Sequence, residues 1–83
     1  MKLSFTFDWI NQFEDVDSRV KRQILTKLKE MDRAESWPHE ALKGKQFKGL
    51  FKIRIGEYRL IYRLVNGATI DFLYLGHRRE IYN

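Results

Sequence analysis

The sequence has no cysteine, which excludes disulfides, thiolate metal sites and cysteine nucleophiles together and fits a reducing compartment. Histidine occurs only at His39 and His77, and neither has a readable acid–base partner, so a nucleophilic triad has no footing. No cluster of histidines and carboxylates stands at metal-ligand spacing, and no metal or other cofactor is expected. No glycine-rich phosphate loop follows a strand. No apolar run approaches the roughly 18–20 residues that span a bilayer. Met1 to Phe5 alternates apolar and polar residues and lacks the apolar stretch of a signal peptide. These absences lead to the expectation of a soluble, cytoplasmic protein with no membrane partner.

What remains is a small basic domain. Its 83 residues allow one domain, 1–83, and 43% hydrophobic content is enough for a core. The formal net charge is +5, but it is uneven. Residues 1–40 sum to −1 and residues 41–83 sum to +6. A one-sided basic surface draws polyanions toward it.

Lys2 to Phe7 alternates as a half-buried strand with Leu3, Phe5 and Phe7 on one face. Asp8 can cap a short helix over Trp9 to Phe13. Asp17 or Ser18 can cap a longer one, whose Val20, Ile24, Leu25, Leu28 and Met31 form one apolar stripe. Residues 32–49 read as irregular, because Trp37-Pro38 blocks a helix. Such a long connection often carries function, and this one carries Lys43, Lys45 and Lys48.

Three strands follow: Leu50–Ile55, Tyr58–Val65 and Ala68–Leu75. Gly56-Glu57 suits a type II′ turn and Asn66-Gly67 a type I′ turn. Two-residue turns fix register. Arg54 should face Arg59 and Lys52 should face Ile61. Across the second turn Arg63 should face Ile70, Ile61 should face Phe72 and Arg59 should face Tyr74. One sheet face is then nearly all apolar, with Asp71 as its misfit, and should meet the helices. The expected fold is α+β, with an N-terminal strand and two helices packed on one face of a small, mainly antiparallel twisted sheet.

The opposite face gathers Lys52, Arg54, Arg59, Arg63, Ile61, Phe72 and Tyr74, with no carboxylate among these strands. Arg54 opposite Arg59 is a like-charge pair that costs roughly 0.2–1 kcal/mol, a cost not explained by stability alone. Cations with aromatic neighbours suit a bent single strand of nucleic acid, with phosphates on the cations and a base on a ring. RNA carries its own nucleophile, the 2′-OH. A ribonuclease need only align it, offset transition-state charge and protonate the leaving oxygen. Arginine is a poor base. Crowded cations can lower a lysine pKa, which makes Lys52 the better candidate base.

Three stretches carry a family likeness: Leu42-Lys43-Gly44, Gly49 to Tyr62, and Gly76 to Tyr82. Their order, K-G…R-x-G-x-Y-R-x-x-Y…G-H-R-x-x-x-Y, resembles the RelE/ParE superfamily of toxins from type II toxin–antitoxin systems. The resemblance implies a RelE-like fold and, for the RelE branch, a ribosome-dependent ribonuclease that cuts messenger RNA in the ribosomal A site. It implies a cognate, RelB-like antitoxin, and the ribosome and messenger RNA as partners. By the same resemblance, Lys52 and Arg54 match the basic pair of the central hairpin. Arg59 matches the arginine that stabilises the transition state, Arg78 a proposed general acid, and Tyr82 a tyrosine that stacks on the substrate base. Arg79 adjoins Arg78, so either could be the acid. Position 54 is arginine where the best-known member has a lysine, which leaves the base open. Lys43, Lys45, Lys48, Arg63 and Arg79 are expected to hold substrate phosphates. The alternatives are a ParE-type toxin that binds DNA gyrase and cuts no RNA, and an inactive nucleic-acid-binding relative.

Overall fold

The computed structural model describes residues 1–81. Strand β1 (Lys2–Phe5) leads into helices α1 (Phe7–Asp15) and α2 (Ser18–Arg33). The Asp17 carboxylate caps α2 by accepting from Val20 N at 2.9 Å, as expected. At the other end of α2, the Met1 amino nitrogen donates to the Met31, Asp32 and Ala34 carbonyls at 3.2, 2.9 and 2.8 Å.

The start of α1 differs from the sequence expectation. Its N-cap is Thr6, not Asp8. Thr6 Oγ1 accepts from Trp9 N at 3.1 Å and donates to Leu73 O at 2.9 Å. The alternating run therefore ends at Phe5. Phe7 opens the helix at 86% exposure instead of continuing the strand face.

Strands β2 (Glu40–Ala41), β3 (Phe51–Ile55), β4 (Tyr58–Val65) and β5 (Thr69–His77) follow, then a short helix α3 (Arg78–Ile81). The stretch expected to be irregular thus contains β2, and a single 3-10 turn over Lys45–Phe47. The sheet order is β1-β5-β4-β3-β2, with β1 parallel to β5 and the other neighbours antiparallel. The β3–β4 hairpin keeps the expected register, Arg54 opposite Arg59 and Lys52 opposite Ile61, around Gly56 at φ +57°.

The β4–β5 hairpin does not. Asn66 and Gly67 take positive φ, 54° and 69°, as a type I′ turn requires. Ala68, however, closes the turn on Val65 O at 3.3 Å and gives its own carbonyl to Lys2 N at 3.2 Å. Pairing resumes only at Val65 opposite Thr69. Arg63 therefore faces Asp71 instead of Ile70, and Tyr62 faces Phe72. A bulge between Ile61 and Tyr62 then skips Leu73, whose carbonyl is the one held by Thr6. Beyond it Ile61 faces Tyr74 and Arg59 faces Gly76, not Phe72 and Tyr74 as expected.

This corrected register changes two assignments. Phe72 leaves the basic face and is fully buried among the helices, its ring 5.2 Å from Phe5, 5.9 Å from Trp9 and 5.6 Å from Tyr62. Asp71 leaves the core face, where it made no sense, and lies opposite Arg63. The core joins Trp9, Ile24, Leu28 and Met31 of the helices to Ile53, Ile55, Leu60, Tyr62, Ile70, Phe72 and Leu75 of the sheet. Leu25 stays at the exposed margin of the α2 stripe. The α+β architecture, helices on one face of a mainly antiparallel sheet, is the expected one.

The Tyr62 hydroxyl lies 2.7 Å from His39 Nδ1 and so ties the segment before β2 to the sheet. Burial pushes the Tyr62 phenol up to about 12 from its ordinary 10.0. The folded-state value is raised, so the stabilisation is full below pH 10 and is lost as pH climbs through about 12. Tyr62→Phe should cost about 1 kcal/mol at pH 7 through the lost hydrogen bond. It should also lose less stability than the parent between pH 10 and 12. Urea unfolding of both chains at pH 7 and pH 11 checks this, and parallel alkaline losses would contradict it.

Candidate nucleic-acid interface

Alternation along β3 and β4 turns Lys52, Arg54, Arg59, Ile61 and Arg63 away from the helices. The register sets Lys52, Ile61 and Tyr74 in one row across the sheet, and Arg54, Arg59 and Gly76 in the next. Tyr74 is on this face as expected, 52% exposed. The expected set of strand cations is therefore assembled, and Phe72 is absent from it.

The face is not free of carboxylates, contrary to expectation. Glu40 Oε1 lies 3.3 Å from Arg54 Nη2 and 3.7 Å from Lys52 Nζ. Asp71 Oδ2 accepts from Arg63 Nε at 3.1 Å, while its Oδ1 accepts from Ser4 Oγ at 2.8 Å. Glu57 Oε2 lies 3.6 Å from Arg78 Nη1. Each carboxylate arrives by a local feature that period-2 reading misses. Asp71 comes from the extra turn residue, Glu40 from a two-residue edge strand, and Glu57 from the turn itself. Lys52 thus faces an anion as well as its cationic neighbours.

The Arg54–Arg59 pair is relieved by divergence. Arg54 reaches outward to Glu40, whereas Arg59 Nη1 donates back to the carbonyls of Gly56 at 3.1 Å and Tyr58 at 3.0 Å. Arg59 is only 9% exposed, against the open position expected for it. Its Nε–H is buried and has no hydrogen-bond partner among the described residues. Buried donors are normally paired.

The segment after β2 folds over part of the same face. Leu42, Phe47 and Leu50 approach Ile61 and Tyr74 around a cavity of about 340 Å³, which Gln12 and Glu80 help to line. Leu42 and Ile61 are buried there, a second small apolar cluster on the face assigned to charge. Lys43, Lys45 and Lys48 are exposed on this segment. Arg78 begins α3 and is pinned to the β3–β4 turn by its backbone N–H, which donates to Glu57 O at 2.7 Å. Arg79 is exposed, with its backbone N–H directed to His77 Nδ1 at 3.2 Å. Arg63 stands toward the opposite, Asn66-Gly67 end of the hairpin. Tyr82 lies outside the described residues. Among the described residues no group of three histidines or carboxylates could hold a metal ion. No helix among them is long and apolar enough to cross a membrane.

The fold is similar to the crystal structure of the RelB-RelE antitoxin-toxin complex from Methanococcus jannaschii, at 25% identity and TM-score 0.74, over 95% of this chain and 94% of that one. It is also similar to the isolated E. coli RelE toxin, at 23% identity and TM-score 0.70, over 98% and 89% of the two chains. In sequence, the chain is 30% identical to Toxin RelE3 of Methanocaldococcus jannaschii over 86 residues, covering 100% of this chain and 97% of that protein. The family described as the ParE toxin of type II toxin-antitoxin system, parDE, matches residues 4–82. The chain belongs to this family, within the RelE/ParE superfamily, and is a toxin of a type II toxin–antitoxin system.

Proposed function

We propose that this toxin is an endoribonuclease that cuts messenger RNA in the ribosomal A site, with the ribosome supplying the bent RNA. The observation that carries the reading is Arg59. Its guanidinium is almost buried, is oriented by two carbonyls, and keeps an Nε–H that has no partner among the described residues, beside Arg54 in the next strand. The atom is shielded from solvent, so a phosphate oxygen would reach it only as the groups covering it move aside, and would then give it a partner.

In the proposed reaction the 2′ oxygen attacks the adjacent phosphorus as its proton passes to a base, for which Lys52 in its uncharged form is the candidate, leaving Lys52 as an ammonium. The P–O5′ bond breaks, and the 5′ oxygen leaves with a proton. The products are a 2′,3′-cyclic phosphate and a 5′-OH end. Arg59 and Lys52 offset the charge that builds on phosphorus. Arg54 completes the basic pair. Arg78, or its neighbour Arg79, supplies the leaving-group proton, and Tyr82 stacks on a base. Lys43, Lys45, Lys48, Arg63 and Arg79 take flanking phosphates and set the register of the strand. The similar structures that contain RelB support a cognate antitoxin for this chain as well. Its masking segment should be acidic or amphipathic, to match the basic face.

The name of the matching family favours one second reading, a ParE-type toxin that binds DNA gyrase and cuts no RNA. Induction of the chain, followed by mapping of messenger RNA ends and scoring of DNA breaks, separates the two. New message ends inside reading frames, with intact DNA, are expected. Broken DNA with intact messages would leave the gyrase reading in place. In the same experiment Tyr82→Ala should abolish growth arrest while circular dichroism stays unchanged. Full toxicity of that variant would remove Tyr82 from the site.

A further inference from the structure

Glu40 has no role in the reaction just described, yet it touches two of the residues assigned to it. Its position is fixed on both sides. His39, the preceding residue, is held to the Tyr62 hydroxyl at 2.7 Å. Leu42, two residues on, is buried and its N–H donates to Leu50 O at 3.0 Å. Between these anchors Glu40 pairs with Lys52 in the sheet register. One carboxylate oxygen, Oε1, is then shared by Lys52 Nζ at 3.7 Å and Arg54 Nη2 at 3.3 Å. The Glu40 side chain is 54% exposed, so the contact is open to exchange with solutes.

A single anionic oxygen between an ammonium and a guanidinium is the arrangement a phosphate oxygen would adopt at the same place. We propose that Glu40 is a built-in competitor for the phosphate site, which keeps weakly held RNA off the Lys52–Arg54 pair. This rests on the reading that the face receives RNA. An exposed ion pair is weak, up to about a factor of five each. A strand delivered in the correct bend displaces Glu40 readily, because its other contacts are already in place. A free, flexible strand has to displace the same carboxylate with far less in its favour. The penalty is the same for both strands, so the ratio of their affinities is unchanged; what it lowers is occupancy, because a weakly held free strand falls below saturation while a preorganised one stays bound.

The test uses the full chain, Glu40→Gln, Glu40→Asp, and Glu14→Gln as a charge control on the exposed side of α1. Two probes are titrated against salt: a fluorescent single-stranded 2′-O-methyl oligonucleotide, which cannot be cut, and inorganic polyphosphate. Glu40→Gln should bind both about threefold to tenfold more tightly than the parent at low salt. Its dependence of log K on log salt should steepen by about 0.7 on the oligonucleotide, as for one added phosphate contact. Glu40→Asp, one methylene shorter, should fall between the two, and Glu14→Gln should match the parent. Equal gains in Glu14→Gln and Glu40→Gln would overturn the proposal. So would unchanged affinity with impaired cutting on ribosomes, which would make Glu40 the proton acceptor. If polyphosphate binding tightens while no chain holds the oligonucleotide, the competitor role stands and the RNA reading falls.

Discussion

Arg59→Ala is expected to abolish growth arrest and to slow message cleavage by at least about 10²-fold, the loss typical of removing one donor aimed at developing charge. The expectation follows from how the guanidinium is held. Its Nη1 is committed to the Gly56 and Tyr58 carbonyls, which fixes the plane of the group and leaves Nε–H buried without a partner among the described residues. A guanidinium whose plane is fixed before the substrate arrives needs only its covering groups to move, not its own reorientation, to meet developing charge. Arg59→Lys separates charge from geometry. An ammonium cannot bond the two carbonyls and still present a second donor at the Nε position. The lysine variant should therefore stay well below the parent even though the net charge is unchanged. Loss of two hydrogen bonds to the turn costs the fold about 1–3 kcal/mol, so thermal unfolding should shift while remaining cooperative. Message-end counts from cells expressing each variant, normalised to toxin level, measure the effect. Parent-like cleavage by Arg59→Ala would remove Arg59 from the chemistry.

Phe72→Ala should produce the largest loss of stability, about 3–5 kcal/mol. Domains of this size hold roughly 5–15 kcal/mol in all. The ring is fully buried and meets Phe5, Trp9 and Tyr62, so truncation leaves a cavity between both helices' layer and the sheet. Tyr74→Ala, two residues along the same strand, removes a ring that is half exposed on the other face. It should cost far less stability. Urea unfolding of the two variants measures the contrast. A stable, cooperative Phe72→Ala that has lost RNA binding would restore the register expected from two-residue turns and overturn the one described above.

That contrast shows which parts of the molecule were legible beforehand. The α2 stripe and its Asp17 cap follow from spacing and from one side-chain oxygen. The β3–β4 hairpin follows from a turn with no spare residue, and with it the shared face of Lys52, Arg54, Arg59 and Arg63. The β4–β5 register was not legible, because two residues leave the ladder to bond elsewhere. Ala68 serves Lys2 and Leu73 serves Thr6, both from a segment more than sixty residues away in sequence. One sign of it was present. An aspartate in the middle of an apolar face, where strict alternation from a two-residue turn puts Asp71, is itself a mark of slipped register. Thr6 was missed because strand alternation runs straight through it. Glu40 was missed because a two-residue strand has no period to read.

Ala68 and Leu73 have a joint consequence for how β5 can change length. Each is a single surplus residue relative to an uninterrupted antiparallel pair. Side chains in a strand obey a parity rule, so one surplus residue inverts every later position and a second one restores it. The inverted stretch between them is the part that contains Ile70, Asp71 and Phe72, while Tyr74 and Leu75 lie beyond the correction. Deleting either surplus residue alone would leave the pairs on both sides of it in frame and would cost only the carbonyl that the N-terminal segment holds, Ala68 O for Lys2 N or Leu73 O for Thr6 Oγ1. A further residue added at either place would instead have to be looped out or would exchange core for surface beyond it, so β5 tolerates shortening at these two points better than lengthening.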